Sequence, residues 1–499
     1  MFDAAIVRRW AVLGVELLAK HRLELNALNV FPIPDGDTGT NLYLTFKAAA
    51  QAESARTGRI DDSQDALNAM ARGALMGARG NSGVILAQTL QAFAQSAKEY
   101  EFLNFSALMK SGAIAARSAV SNPQEGTVLT VLDAVANSKA EDPSSAGDVA
   151  RDALAKTPQM LPALKMAGVV DAGGRGVVLL LDALAAAWNQ KPNESASVGF
   201  VPTSVPQMID CKSDGKFELM FLIPSFSLDE VTKTIDSMGT SLVVTTGDDV
   251  SQVHIHLEDP AQAISKIRNI ATPKNIRIEL LEVTKRERAV VVQAFGSGVV
   301  QQLAELGAFV VACEPDERSS VSDFVDAAIH SDAKEIILVA GDRDSVQVTE
   351  LAAKMLKEIG IQAAVVPAVS IPAALIAVSM FDESGDLKSA TDKMIAACEA
   401  VTSVAISKAN RDSGTAIGEI KSGNFLLLVE SEIVAFGESI ELLIEKFQQI
   451  SAGKEIATII WGAEISKPEQ NSILAALNNL EVVSIDGGQE LWLALVGLE

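Results

Sequence analysis

The stretch NALNVFPIPDGDTGTNLYLTF, residues 26–46, sets Asp35 and Asp37 on either side of Gly36 and follows them with Thr38, Gly39, Thr40 and Asn41 ahead of a helical run. Two carboxylates in one tight turn can aim at a single hard cation. Magnesium takes one or two carboxylates and completes its shell with water and phosphate oxygens. The backbone N–H groups of Thr38 to Asn41, at a helix start, would offer an anion cradle beside that ion. The competing reading is a plain Pro-Asp-Gly turn with Asp37 or Thr38 as helix N-cap.

Three further stretches share this design. In GARGNSGVILAQ (77–88), Gly77, Gly80 and Gly83 bracket Asn81 and Ser82 before a helix. Glycines let a backbone approach phosphates closely and a Ser hydroxyl can donate to one; the alternative is a helix–helix turn capped by Ser82. EGTVLTVLDA (125–134) places Gly126 and Thr127 before a helix, and VVDAGGRGVVLL (169–180) offers Asp171, an N–H cluster at Gly173 and Gly174, and the cation Arg175. That last stretch also reads as a glycine-rich connector. No GK[ST] is present, so none is a Walker A loop.

Helical apolar spacing runs near 2–20, 38–57, 62–78, 82–98, 103–119, 126–139, 146–157 and 174–189, an all-α bundle or helical barrel. In an up-and-down array alternate helices begin at the same end. The starts at 38, 82 and 126 therefore cluster, and the fourth motif joins them if 159–168 forms an extra piece, with Pro158 and Pro162 breaking the pattern. Helix starts, carboxylates and a cation gathered at one end describe a magnesium-nucleotide site.

At 499 residues the chain exceeds one ordinary hydrophobic core. Domains are expected at 1–195, 208–285 and 286–499, with the Pro- and Ser-rich QKPNESASVGFVPTSVPQ (190–207) as linker. A formal charge of −23 argues against nucleic-acid binding, which needs clustered Lys and Arg. Three scattered cysteines suit a reducing compartment. The N-terminus reads as an amphipathic helix rather than a signal peptide, and no run is long enough to span a membrane, so the expected location is cytoplasmic.

The middle segment reads β-α-β-β-α-β, a small ferredoxin-like α+β unit. Its QVHIHLEDP places His254 and His256 on one strand face, where both imidazoles can reach one metal; Glu218 or Cys211 would supply a third ligand for zinc. The alternative is a pair of surface histidines. Beyond residue 286, apolar strands alternate with helices as far as QAAVVPAV (362–369), an expected mostly parallel sheet in an α/β domain whose tail continues with FLLLVESEIVAFG and EIATIIWGAE. The closing GGQELWLALVGLE reads as packing.

LNVFPIPDGDTGTN, GARGNSG, GTVLTV and GVVDAGG together resemble the catalytic subunit of bacterial fatty acid kinase, a DAK2-domain protein. The N-terminal domain is similar to the L subunit of dihydroxyacetone kinase, an eight-helix barrel holding Mg-ADP at one end. The resemblance implies an ATP- and magnesium-dependent phosphotransferase of phospholipid metabolism. It would phosphorylate the carboxylate of a fatty acid carried by a DegV-like protein, giving an acyl phosphate; a homodimer is compatible with it. It implies Mg²⁺ at Asp35 and Asp37 with Asn29 or Asp171 as a further ligand; dihydroxyacetone kinases carry a third Asp near Asn29. Nucleotide contacts would come from Thr38, Gly39, Thr40, Asn41, Asn81, Ser82, Gly126, Thr127, Lys165, Asp171 and Gly173, and Arg79, Lys165 or Arg175 would offset transition-state charge. Some family members bind zinc through two histidines and a cysteine; Glu218 stands at the cysteine's place. ACEPDERSSVSD and GDRDS also depart from the family's pattern. The alternatives are a nucleotide-binding regulatory scaffold and a dihydroxyacetone-type kinase subunit.

Overall fold

The computed structural model describes residues 3–56, 62–99, 104–190, 215–281, 286–313, 319–415 and 417–499. Cys211 and nearly all of the 190–207 stretch lie outside these residues. The chain divides into two compact units, one holding the helical region with the first three strands, the other most of the fourth strand and everything from the fifth onward.

The helical region comprises α1 (Ala4–Leu28), α2 (Thr38–Ser54), α3 (Ser63–Gly77), α4 (Gly80–Glu99), α5 (Phe105–Ser118), α6 (Val128–Ala136), α7 (Pro143–Leu154), the short α8 (Thr157–Met160) and α9 (Pro162–Ala167), and α10 (Ala172–Asn189). Helix α1 runs well past its expected end near 20, and α4 begins at Gly80, which puts Ser82 inside its first turn rather than at the cap. Each long helix packs on the next, and α10 packs on both α7 and α1. The core rests on Ala and Leu with a few rings, Trp10 meeting Phe46 edge-on at 5.3 Å between centroids. The prolines at 158 and 162 sit in α8 and α9, which return the chain so that α10 starts beside α6.

The middle segment runs β1 (Phe217–Pro224), α11 (Leu228–Ile235), β2 (Gly239–Thr246), β3 (Val250–Leu257), α12 (Pro260–Arg268) and β4 (Lys274–Leu280). The sheet order β2-β3-β1-β4 is that of a ferredoxin-like unit. Antiparallel register sets Glu218 opposite His256 and Met220 opposite His254.

The second unit opens with β5 (Arg288–Ala294), β6 (Phe309–Ala312), β7 (Glu335–Val339) and β8 (Gln362–Val366), a parallel sheet in the order β6-β5-β7-β8 linked by helical crossovers. Then follow β9 (Thr402–Lys408), the hairpin β10 (Ser413–Thr415) and β11 (Gly418–Ile420), β12 (Phe425–Val429), β13 (Glu432–Gly437), β14 (Ile456–Trp461), β15 (Glu481–Asp486) and β16 (Ala494–Leu498). Six of these form a sheet in the order β13-β12-β9-β16-β14-β15, antiparallel except for β14–β15. The mostly parallel sheet expected as far as residue 369 is found in β5–β8, and the tail is mostly antiparallel. Its physical reason is the short connections: Glu430 and Ser431 join β12 to β13 at φ 48° and 73°, the paired positive φ of a two-residue hairpin turn. The C-terminal run forms β16, buried throughout in the middle of that sheet. Among the described residues no helix is long and apolar enough to cross a membrane.

Candidate functional site

The Asp35–Asp37 turn leaves the end of α1 and enters α2. Asp37 occupies the N-cap position of α2, yet its side chain makes no capping bond. Asp62, Asp142 and Asp171 at other helix starts do cap. The Asp37 carboxylate is instead turned to amides: Asn41 donates to its Oδ2 at 2.7 Å, and Asn29 donates to Asp37 at 3.5 Å and to Asp35. Asp37 thus holds the N-cap position without side-chain capping. Burial drives the Asp35 carboxyl well above the usual range, reinforced by the negative charges of Asp37 and then Glu218. A cation beside Asp35 would favour its ionised form.

A cavity of about 480 Å³ opens at Thr38, the residue after Asp37, and neither aspartate lines it; its volume is within the size range of small-molecule sites. Thr38 from α2, Asn81 and Ser82 from α4, Thr127 and Val128 at the start of α6, and Asp171 and Gly173 at the start of α10 all line it. The four sequence motifs meet here. Within them, the side-chain oxygens of Asn41 and Asn81 are buried with no hydrogen-bond partner, a cost that a ligand or ion would remove. Asp171 accepts from Gly174 N–H at 2.6 Å and from Val128 N–H, so one carboxylate joins the starts of α10 and α6; burial nevertheless pushes it up to about 6. The Thr127 hydroxyl caps α6 and donates to Gln124 O at 2.8 Å.

Several expected contacts are structural instead. Gly39 packs on α1, where an added Cβ would lie 2.1 Å from Arg22 O. Thr40 is fully buried, its N–H and hydroxyl held by Asn26. Of the Thr38–Asn41 cradle, only Thr38 reaches the cavity wall. Gly80, at φ 56°, abuts the Asn41 amide, while Gly77 and Gly83 face Ala48 and Thr45. These glycines bring α3 and α4 close to α2 rather than approaching a phosphate. Gly126 is a turn residue at φ 86°, against Met160 and Leu161. Arg175 is turned into the core, 1% exposed, with Nε 2.9 Å from Glu24 Oε1, so it is withdrawn from the site. Arg79 gives its backbone N–H to Thr45, and Lys165 is exposed on α9; neither lines the cavity. Among the described lining residues there is no Arg or Lys.

Sequence reasoning missed one wall. Val120, Ser121, Asn122 and Gln124 between α5 and α6, and Thr240, Ser241 and Val243 from β2, also line the cavity. No local signal marks them, because the pairing of β2 with residue 120 is long-range.

Glu218, His254 and His256 form a second cluster, with one ligand atom from each lying within 4.8 Å of the others. His254 and His256 are 0% and 3% exposed, which rules out the surface-histidine alternative. Both ring nitrogens of His254 lack a hydrogen bond, and Nε2 is 3.4 Å from Glu218 Oε1. Burial, then the neighbouring His256, holds its pKa well below the usual value, keeping the imidazole neutral as a metal ligand must be. The donor set fits zinc.

Comparison with known proteins matches residues 32–186 to the DAK2 domain, 214–288 to the middle domain of the FakA-like fatty acid kinase family and 289–499 to the C-terminal domain of that family. The chain belongs to the FakA-like fatty acid kinase family. This FakA-like chain is 27% identical to Protein YloV of Bacillus subtilis, covering 97% of each chain. It is 28% identical to the uncharacterized protein SSP1546 of Staphylococcus saprophyticus, over 100% of this chain and 99% of that one. Among solved structures, DegV family protein Cg2579 of Corynebacterium glutamicum matches 42% of this chain and 95% of its own, at 16% identity and TM-score 0.32. A fatty-acid-binding DegV family protein of Thermus thermophilus matches 42% and 99%, at 15% identity and TM-score 0.32.

Proposed function

We propose that the chain is a magnesium- and ATP-dependent kinase that phosphorylates the carboxylate of a fatty acid presented by a separate DegV-like carrier, releasing an acyl phosphate and ADP. The observation that carries this is the meeting of four helix starts on one cavity beside an acidic pair whose carboxylates are not spent on capping. The ring of neighbouring helices, with α10 returning to α1, supports the eight-helix barrel reading. An ATP-requiring step of this kind belongs in the cytoplasm.

A fatty carboxylate is ionised at neutral pH, so no general base is needed. Its oxygen forms a bond to the γ-phosphorus while the bond from that phosphorus to the β–γ bridging oxygen breaks, and the electron pair leaves with ADP. No proton moves. The difficulty is bringing two anions together, which makes positioning and charge neutralisation the main tools. No basic side chain lines the cavity among the described residues, so the neutralising work falls to N–H groups at the helix starts and to a divalent ion. Bound magnesium would supply Lewis-acid charge neutralisation at the phosphates. Asp35 and Asp37 would hold it, with Asn29 able to present its amide oxygen after a flip. The N–H groups of Asn81, Ser82 and Gly173 and the Ser82 hydroxyl would receive the phosphates. Glu218, His254 and His256 would hold zinc.

The test is ATP turnover by the purified chain with and without a carrier loaded with fatty acid. Turnover that appears only with the loaded carrier, with acyl phosphate trapped as a hydroxamate, is the expected result. Tight ATP binding with no turnover in either condition would leave the regulatory scaffold as the better account.

A further inference from the structure

Strand β2 is the edge of the middle segment's sheet, and its outer edge is taken up by the helical region. Val244 N–H donates to Ala119 O at 3.1 Å and Ser121 N–H to Leu242 O at 3.3 Å, which makes the antiparallel bridge between Val120 and Val243. Two buried bonds reach the first turns of α4 and the C-cap of α3. From β2 the Thr245 hydroxyl donates to Val84 O at 2.9 Å, and from the neighbouring β3 the Gln252 amide donates to Ala78 O at 3.2 Å. Ala78 and Val84 flank Asn81 and Ser82, so the β2–β3 pair is fastened to the same helix start that lines the cavity.

Within this fastened strand the ladder slips. The β2–β3 register shifts between Thr240 and Val243, and Ser241 in the gap has φ 53°, left-handed backbone for a residue with a side chain. Such a conformation costs about 1–3 kcal/mol and persists where the surroundings impose it, often at ligand sites. Here the bulge is where β2 joins the cavity wall: Thr240 and Ser241 line it together with Thr38, Ser82 and Thr127. A regular ladder would need no left-handed residue at this point.

We propose that the Thr240–Ser241 bulge of β2 is a nucleotide-contacting wall of the site, so that the middle segment completes a site otherwise built from helix starts. The ligand is an adenine nucleotide with its divalent ion, met on this side by two hydroxyl side chains and the peptide groups of the bulge. The inference rests on the nucleotide reading of the cavity.

The test is calorimetric titration of the full chain with Mg-ADP, comparing wild type with Ser241→Gly, Ser241→Asn and Ser241→Asp. Gly, Asn and Asp all accept left-handed backbone, so the fold is kept, and thermal melting of each variant checks this. In Ser241→Asp, a carboxylate placed against the phosphates is expected to weaken Mg-ADP binding by about tenfold or more. Ser241→Asn should weaken it less, and Ser241→Gly, which removes the contacting hydroxyl and keeps the backbone, should weaken it by about threefold. Folded Ser241→Asp and Ser241→Asn variants that bind Mg-ADP as tightly as wild type would overturn the role of β2 while leaving the nucleotide site standing. No Mg-ADP binding by folded wild type would remove the nucleotide reading itself, and this inference with it.

Discussion

Asn41 donates its side-chain amide to Asp37 across one turn of α2, at 2.7 Å, while its own oxygen stays buried without a partner. The bond holds the Asp37 carboxylate away from the helix cap and toward Asp35. Asp37→Ala is therefore expected to lower phosphate transfer by about a thousandfold. Because Asp37 caps nothing, the helical circular dichroism should be unchanged. Near-normal transfer by that variant would contradict the metal assignment.

The raised Asp35 carboxyl predicts a pH-dependent magnesium affinity. Below its folded pKa the acidic pair keeps a proton that the ion must displace, so affinity rises with pH and levels off once the carboxyl is ionised. Glu218 is one of the charges raising it. Glu218→Gln should move the midpoint of that rise to lower pH, read by titrating Mg²⁺ at a series of pH values. An unchanged midpoint would show that Glu218 does not act on Asp35.

Arg175 and Glu24 should behave as a stability pair rather than as catalytic groups. Arg175→Ala leaves a carboxylate facing an emptied core position and is expected to cost about 3 kcal/mol in urea unfolding. Arg175→Met combined with Glu24→Leu should recover most of that loss. The KM for ATP of the folded double variant should match wild type. A large rise in KM would return Arg175 to the site.

Purified protein is expected to carry one equivalent of zinc by elemental analysis, lost in His256→Ala. Since burial depresses the His254 pKa, folding favours its neutral form. Its contribution to stability is present above the unfolded pKa and is lost as pH falls below about 6.5. Metal and stability should therefore both decline on acidification through that range. Protein free of zinc at neutral pH would leave two buried histidines without a ligand role.

The helical texture, the ferredoxin-like strand order and the four motifs were legible because each is written locally, in spacing or in a turn. What was not legible depended on partners far along the chain. Gly39 and Thr40 read as a phosphate cradle because close helix packing and close phosphate approach both require small residues; only the position of Arg22 and Asn26 on α1 decides between them. Arg175 read as a cation for the site, yet it sits on the buried face of a mostly apolar helix, and such a residue has to find a buried partner. That partner, Glu24, is 151 positions away. The β2 wall left no trace at all, since Thr240 and Ser241 gain their meaning only from the strand's pairing beside residue 120. The parallel sheet expected as far as residue 369 is present in β5–β8, whereas the tail's antiparallel pairing follows from hairpin turns that its apolar runs did not disclose.

The most direct check is a crystal structure of the full chain with Mg²⁺ and a non-hydrolysable ATP analogue. The account predicts a metal about 2.1 Å from oxygens of both Asp35 and Asp37, with the phosphate chain running along Thr38, Ser82 and Gly173. A triphosphate bound elsewhere, with the two aspartates still bridged only by Asn29, would contradict it.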